Sequence, residues 1–195
     1  EGMDAGSTEG TGKEAATAKL SEDGVQEINQ DMETTVDELI RQFEDTLSEE
    51  GYHGLHVSQE VVTDNAQYYT VKLSVLETEA SGYEHNQFYT IDKQTGNVVA
   101  LADLFAEGSD YISVISENIK TQMREQMVAD EDVIYFLDDE DMTEFNFQSI
   151  TEQTNFYFNE SGELVIAFDE YEVAPGYMGA PEFVIPQKVT AGLLK

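Results

Sequence analysis

Three histidines and forty-one carboxylates are the side chains with which this 195-residue chain could do chemistry. It has no Cys, which removes disulfides, thiolate nucleophiles and Cys-ligated metals. His53 and His56 stand three apart, a spacing that can share a metal on a helix. Gly51 and Gly54 argue against a helix there, and on a strand the two imidazoles would face opposite ways. The run Asp138-Asp139-Glu140-Asp141 lacks the D-x-[DN]-x-[DN]-G spacing of a calcium loop, so a solvated charged surface is expected. Glu170 and Glu172 flank a loop, yet strand period alone would point them the same way. Glycoside cleavage needs two carboxyls in a sugar-shaped cleft with split acidities, and nothing marks such a pair. No nucleophile elbow, phosphate loop or dinucleotide fingerprint occurs. The expectation is a chain without catalysis, metal or cofactor.

Charge narrows the partners. Nine Lys and Arg face 41 Asp and Glu, a formal charge of -32. Nucleic acids and anionic membrane surfaces would be repelled. No apolar run of about 18 residues is present, so nothing in these residues is expected to span a bilayer. Between Arg124 and Lys188 lie 63 residues with 16 acids and no Lys or Arg. Such a surface either keeps the chain dispersed or attracts a basic partner.

These side chains need elements to hold them. Residues 1–24 are read as an acidic tether, because residues 1–18 are mostly Gly, Ser, Thr, Ala and Glu, with Met3 the only large apolar side chain. Residues 25–195 are read as one α+β domain with subregions 25–105 and 106–195. Ile28, Met32, Val36, Leu39, Ile40, Phe43 and Leu47 recur at helical steps, which predicts a helix over 25–48. Tyr69, Val71, Leu73 and Val75 alternate, which predicts a strand over 68–76. A strand ending at Asp64-Asn65, a turn at Ser81-Gly82, a strand over 88–91 and a short strand over 98–101 complete an antiparallel meander. Ile112, Ile115, Ile119 and Met123 predict a second helix over 111–127, capped by Ser109 or Asp110. A hairpin is expected over 155–168 and a last strand over 183–185. Both helices should lie on an antiparallel sheet of several strands. Tyr68, Tyr69, Phe88, Tyr89, Phe156 and Phe158 read as strand packing rather than a sugar-stacking platform. Gly96 and Gly162 read as turn residues needing positive φ.

Two segments carry a resemblance. Phe88 to Phe105 (FYTIDKQTGNVVALADLF) and Asn155 to Gly179 (NFYFNESGELVIAFDEYEVAPGYMG), continued by PEFVIP, resemble the extracellular region of the anti-sigma-V factors of Gram-positive bacteria, a domain of DUF4163/DUF3298 type. The resemblance spans roughly Gln26 to Leu194, and its most specific piece is the Tyr-Glu-Val-Ala-Pro string followed by Gly. It implies a domain outside the cell, anchored through a membrane segment upstream of residue 1. It implies a basic protein as partner, c-type lysozyme in the family, whose capture exposes a site near the membrane to proteolysis. The implied contact loop is Ala174, Pro175, Gly176, Tyr177, Met178 and Gly179, with Pro175 and Tyr177 as the side chains carried over. Gly82, Tyr83 and His85 join it, because they stand where family members carry a Gly-Gly-Ala-His-Gly-like loop. The first half also resembles the accessory module ahead of some peptidoglycan deacetylases, which leaves cell-wall glycan binding as an alternative; the deacetylase catalytic module is absent. Tyr on such a loop gives large contact area for little entropy loss.

Overall fold

The computed structural model describes residues 22–46, 53–78, 82–140 and 143–195. The expected tether over 1–24, the helix stop at Gly51 and the Ser81 part of the first turn lie largely outside the described residues, as does Asp141.

The chain is α+β, as its periodicities require. Helix α1 (Glu22–Thr46) is followed by β1 (Gly54–Asp64), β2 (Tyr68–Thr78) and β3 (Gly82–Asp92). These pair antiparallel in the order β1-β2-β3. Helix α2 (Tyr111–Ala129) leads to β4 (Phe156–Phe158), β5 (Leu164–Ala167) and β6 (Glu182–Ile185), and a short helix α3 (Gln187–Thr190) follows. The last three strands form a second antiparallel meander, β4-β5-β6. The strands therefore divide into two three-stranded sheets.

Each sheet has its own helix because each has one apolar face to cover. Ile28 and Met32 of α1 pack on Leu73, Tyr89 and Ile91 of the first sheet. Val57 and Val71 border that cluster, so the period-two alternation of β2 does face a helix. Ile115, Ile119 and Met123 of α2 are fully buried against Ile166, Phe183 and Ile185. Of the aromatic residues considered as a platform, Tyr89, Phe156 and Phe158 are buried, and Tyr68 stacks on Phe158 at 4.5 Å. Phe88 stacks on Tyr157 at 5.4 Å.

The two halves are stitched through polar atoms. The buried Thr63 hydroxyl donates to the Phe158 carbonyl at 2.8 Å and accepts from the Phe158 N–H at 3.3 Å. Tyr68, on the far side of β2 from α1, carries the second core onto the first sheet.

Two local expectations are corrected. Val98 to Leu101 is not a strand: Val98 makes a single bridge to Ile91, and Leu101–Leu104 is a 3-10 turn. The Asp103 carboxylate accepts the Ala100 N–H at 2.9 Å, which turns the chain away from the sheet edge after that bridge. Asp110 occupies the start of α2 without a side-chain capping bond. Gly96 and Gly162 adopt φ of 77° and 73°, as their turns demand.

Candidate functional site

The loop between β5 and β6 is held at both ends before it presents anything. Phe168 and Val173 are buried in the second core, and the Phe168 N–H bonds the Pro181 carbonyl at 3.0 Å, closing the loop base. Between them Asp169 to Glu172 is a turn, with Glu172 N–H to the Asp169 carbonyl at 3.2 Å and Asp169 N–H to the Glu172 carboxylate at 2.9 Å. The expectation that Glu170 and Glu172 align on a strand is thereby corrected, since both sit in this turn.

The predicted loop residues separate by role. Ala174 is fully buried and belongs to the core. Met178 is partly buried against the same core. Pro175 leads into a 3-10 turn over Gly176–Met178, closed by Met178 N–H to the Pro175 carbonyl at 2.9 Å. Gly179 has φ 66° and ψ -144°, a conformation nearly restricted to glycine. Tyr177 is the residue left outward, 65 % exposed. Its hydroxyl donates to the Asp132 carbonyl at 3.0 Å. That bond draws the exposed segment Asp130-Glu131-Asp132 beside the loop.

Tyr171 joins the two predicted segments. It has φ 66°, uncommon for a residue with a bulky side chain. Its ring lies over Gly176, where a Cβ would come within 2.3 Å of ring atoms, so only glycine permits that contact. The ring centroid also lies 6.4 Å from that of Tyr83, which in turn sits 5.5 Å from that of His85. Gly82, Tyr83 and His85 are on β3, so the β3 segment and the loop become one surface through Tyr171. His85 Nδ1 lies 3.8 Å from the Glu77 carboxylate.

The loop also closes the free edge of the first sheet. The Glu84 N–H donates to the Glu170 carboxylate at 2.8 Å, and the Glu170 N–H to the Glu84 carbonyl at 3.1 Å. The Asn86 N–H donates to the Asp169 carboxylate at 2.7 Å. Asn155 donates to the Asn86 carbonyl at 2.8 Å. An unpaired strand edge invites foreign pairing, and these carboxylates occupy it.

The electrostatics follow from crowding of acids. Burial raises the Asp169 carboxyl above its ordinary value, opposed by the Asn86 N–H bond and by His85. Desolvation also raises Glu172, opposed by its bond from the Asp169 N–H and reinforced by the Asp169 charge. Burial and then Asp169, Glu172, Glu77 and Glu170 raise the Tyr83 phenol.

Among the described residues no three His, Asp or Glu side chains converge to hold a metal ion. No helix among them is long and apolar enough to cross a membrane. The family resemblance singles out Tyr177 and Tyr83 but not Tyr171, Asp132 or Asp169. No local periodicity marks a left-handed tyrosine or a carboxylate bonded across the fold.

Known proteins share this organisation. Residues 102–188 match DUF3298, a family of unknown function. The chain is 39% identical over 176 residues to the anti-sigma-V factor RsiV of Bacillus subtilis (strain 168), covering 85% of this chain and 61% of that protein. It therefore spans about three fifths of the length of that relative. A DUF3298 family protein from Pseudomonas aeruginosa PAO1 has the same fold, with TM-score 0.60 and 22% identity over 80% of this chain and 68% of that one. Another, from Bacteroides fragilis NCTC 9343, gives TM-score 0.53 and 18% identity over 88% of this chain and 66% of that one. Residues 102–188 of this chain are thus similar to the DUF3298 family, and most of its own length is similar to the anti-sigma-V factor RsiV.

Proposed function

We propose that this chain is the extracytoplasmic ligand-sensing domain of an anti-sigma-factor-like membrane protein of a Gram-positive bacterium. It binds a basic protein, c-type lysozyme first among candidates, through the 174–179 loop and the acidic surface beside it. The observation that carries this reading is Tyr177, exposed on a loop anchored at both ends and bonded to an acidic segment. A rigid aromatic anchor beside an acidic segment suits a cationic protein surface.

The domain works by capture rather than catalysis. The long-range field of the 41 acids raises the encounter rate. Tyr177 and Pro175 then fix the partner, and the fixed loop base limits the ordering cost of binding. Capture alters protease access to the segment that precedes the domain, and through it the hold on a sigma factor. Inhibition of lysozyme tests this reading: one equivalent of domain should abolish cell-wall hydrolysis by c-type lysozyme, whereas full activity in the presence of excess domain would reject it.

One observation supports a second reading, a cell-wall glycan module. A cleft of about 390 Å³ beside the loop is lined by Ser149, Thr151, Gln153, Asp169 and Glu172, with Phe145 58 % exposed among its lining residues. Hydroxyl, amide and carboxylate groups beside an aromatic ring suit a saccharide. Titration with peptidoglycan fragments, read at Phe145, separates the two readings.

A further inference from the structure

The contact face holds a feature that the 174–179 loop does not use. Tyr83 is 41 % exposed and Tyr171 50 % exposed, with centroids 6.4 Å apart and planes tilted by 30°. The turn of Tyr171 is fixed by bonds between Asp169 and Glu172, and its ring rests on Gly176. Four carboxylates act on the Tyr83 phenol: Asp169, Glu172, Glu77 and Glu170. Two of them, Asp169 and Glu170, are already committed to β3 backbone N–H groups, so they cannot swing away from the rings. A half-exposed aromatic pair held inside a negative field has one complementary ligand chemistry. It is a cation whose flat or alkylated body stacks on the rings while its charge faces the acids.

From this geometry we infer that Tyr83 and Tyr171 form a receptor for a single arginine side chain of the captured protein, a subsite separate from the Pro175–Tyr177 contact. The separation of the rings lets one guanidinium lie within about 6 Å of both centroids, the range over which the ring faces attract a cation. Arginine fits better than lysine, because its planar, weakly hydrated group stacks on an aromatic face and bonds carboxylates in the same plane. Tyr171 is the specificity-determining member. Its ring meets both Tyr83 of β3 and Gly176 of the loop, and it is placed at the cost of a left-handed backbone. The site belongs to the partner-binding face proposed above, but arginine recognition stands or falls independently of which protein is captured.

The test uses the whole chain with ring-labelled tyrosine, observed by NMR. Tyr83→Phe and Tyr171→Phe spectra identify the two resonances. The probe is Nα-acetyl-arginine amide, and its neutral isostere Nα-acetyl-citrulline amide is the control. Saturable shifts at both rings with the arginine probe, at least tenfold weaker with citrulline, are expected, and Tyr171→Leu should abolish the shift at Tyr83. Equal response to both probes, or no response at either ring, overturns the inference. In parallel, Tyr171→Phe should retain c-type lysozyme binding, and Tyr171→Leu should weaken it about tenfold, in line with one partly desolvated cation–π contact. Ring shifts with arginine but no lysozyme binding by the unaltered domain would remove lysozyme as partner and leave the arginine site standing. Lysozyme binding without ring shifts would do the reverse.

Discussion

Tyr171 lies across Gly176 so closely that a single added Cβ would sit 2.3 Å from its ring. The side chain that links β3 to the 174–179 loop is therefore positioned by the absence of another. Gly176→Ala must push the ring off this seat or distort the turn. Because the ring is half-exposed and can swing outward, the cost should lie at or below the low end of overpacking, about 1 kcal/mol. Chemical denaturation should show that loss, and partner dissociation should accelerate. Unchanged stability together with unchanged dissociation would mean that the ring is not pinned there.

Tyr177→Ala should weaken partner binding by about 2 kcal/mol or more, chiefly through faster dissociation, as truncated interface anchors do. Folding stability should change little, because the ring is 65 % exposed. Tyr177→Phe separates the ring from its hydroxyl bond to Asp132. Surface plasmon resonance reads both variants, and an unaltered dissociation rate for Tyr177→Ala would remove the loop from the interface.

The Thr63 hydroxyl serves a carbonyl and an N–H of Phe158 together, in a buried setting. Thr63→Val keeps the shape and strands both backbone groups. A loss of about 1–3 kcal/mol in a single unfolding transition is the expected result. Two separated transitions would instead mean that the halves are joined mainly through this one hydroxyl.

Asp169 gives a pH signature. Burial raises its folded-state carboxyl above the ordinary 3.8, so the folded protein holds a proton more tightly than the unfolded chain. Its ionised form therefore costs stability at neutral pH, and that cost disappears as pH falls toward the ordinary value. Glu172 acts in the same sense. Asp169→Asn should gain most relative to wild type at neutral pH, with the difference shrinking in acid. Urea midpoints measured across this range check it, and a difference that grows on acidification would contradict the burial argument.

Much of this molecule is legible in its sequence where the signal is local. The alternation of Tyr69, Val71, Leu73 and Val75 gives β2, and the stripe of Ile115, Ile119 and Met123 gives α2. The positive φ of Gly96 and Gly162 follows from turn chemistry, while the outward Tyr177 is marked by the family resemblance. What escapes a linear reading is settled by distant partners. The edge of β3 is closed by residues 83 and 86 positions away, Asp169 and Glu170, and no periodicity reports that pairing. Ala174 and Met178 look like presented loop residues in the string, yet packing of Phe168 and Val173 draws both toward the core. Division into two sheets likewise depends on which faces α1 and α2 cover. Tyr171 escapes because its left-handed backbone is imposed by the turn around it rather than by its own preference.

Direct binding of the domain to c-type lysozyme, run beside an unrelated basic protein of similar charge, tests the central claim most directly. At low salt the negative field should speed association with both. Raising ionic strength from about 0.01 M to 0.15 M shortens the screening length from about 30 Å to about 8 Å, which slows association without loosening a well-packed contact. The account predicts that lysozyme remains bound at the higher salt while the control protein does not, and that Tyr177→Ala abolishes the difference. Loss of both partners with salt, or equal retention of both, would contradict it.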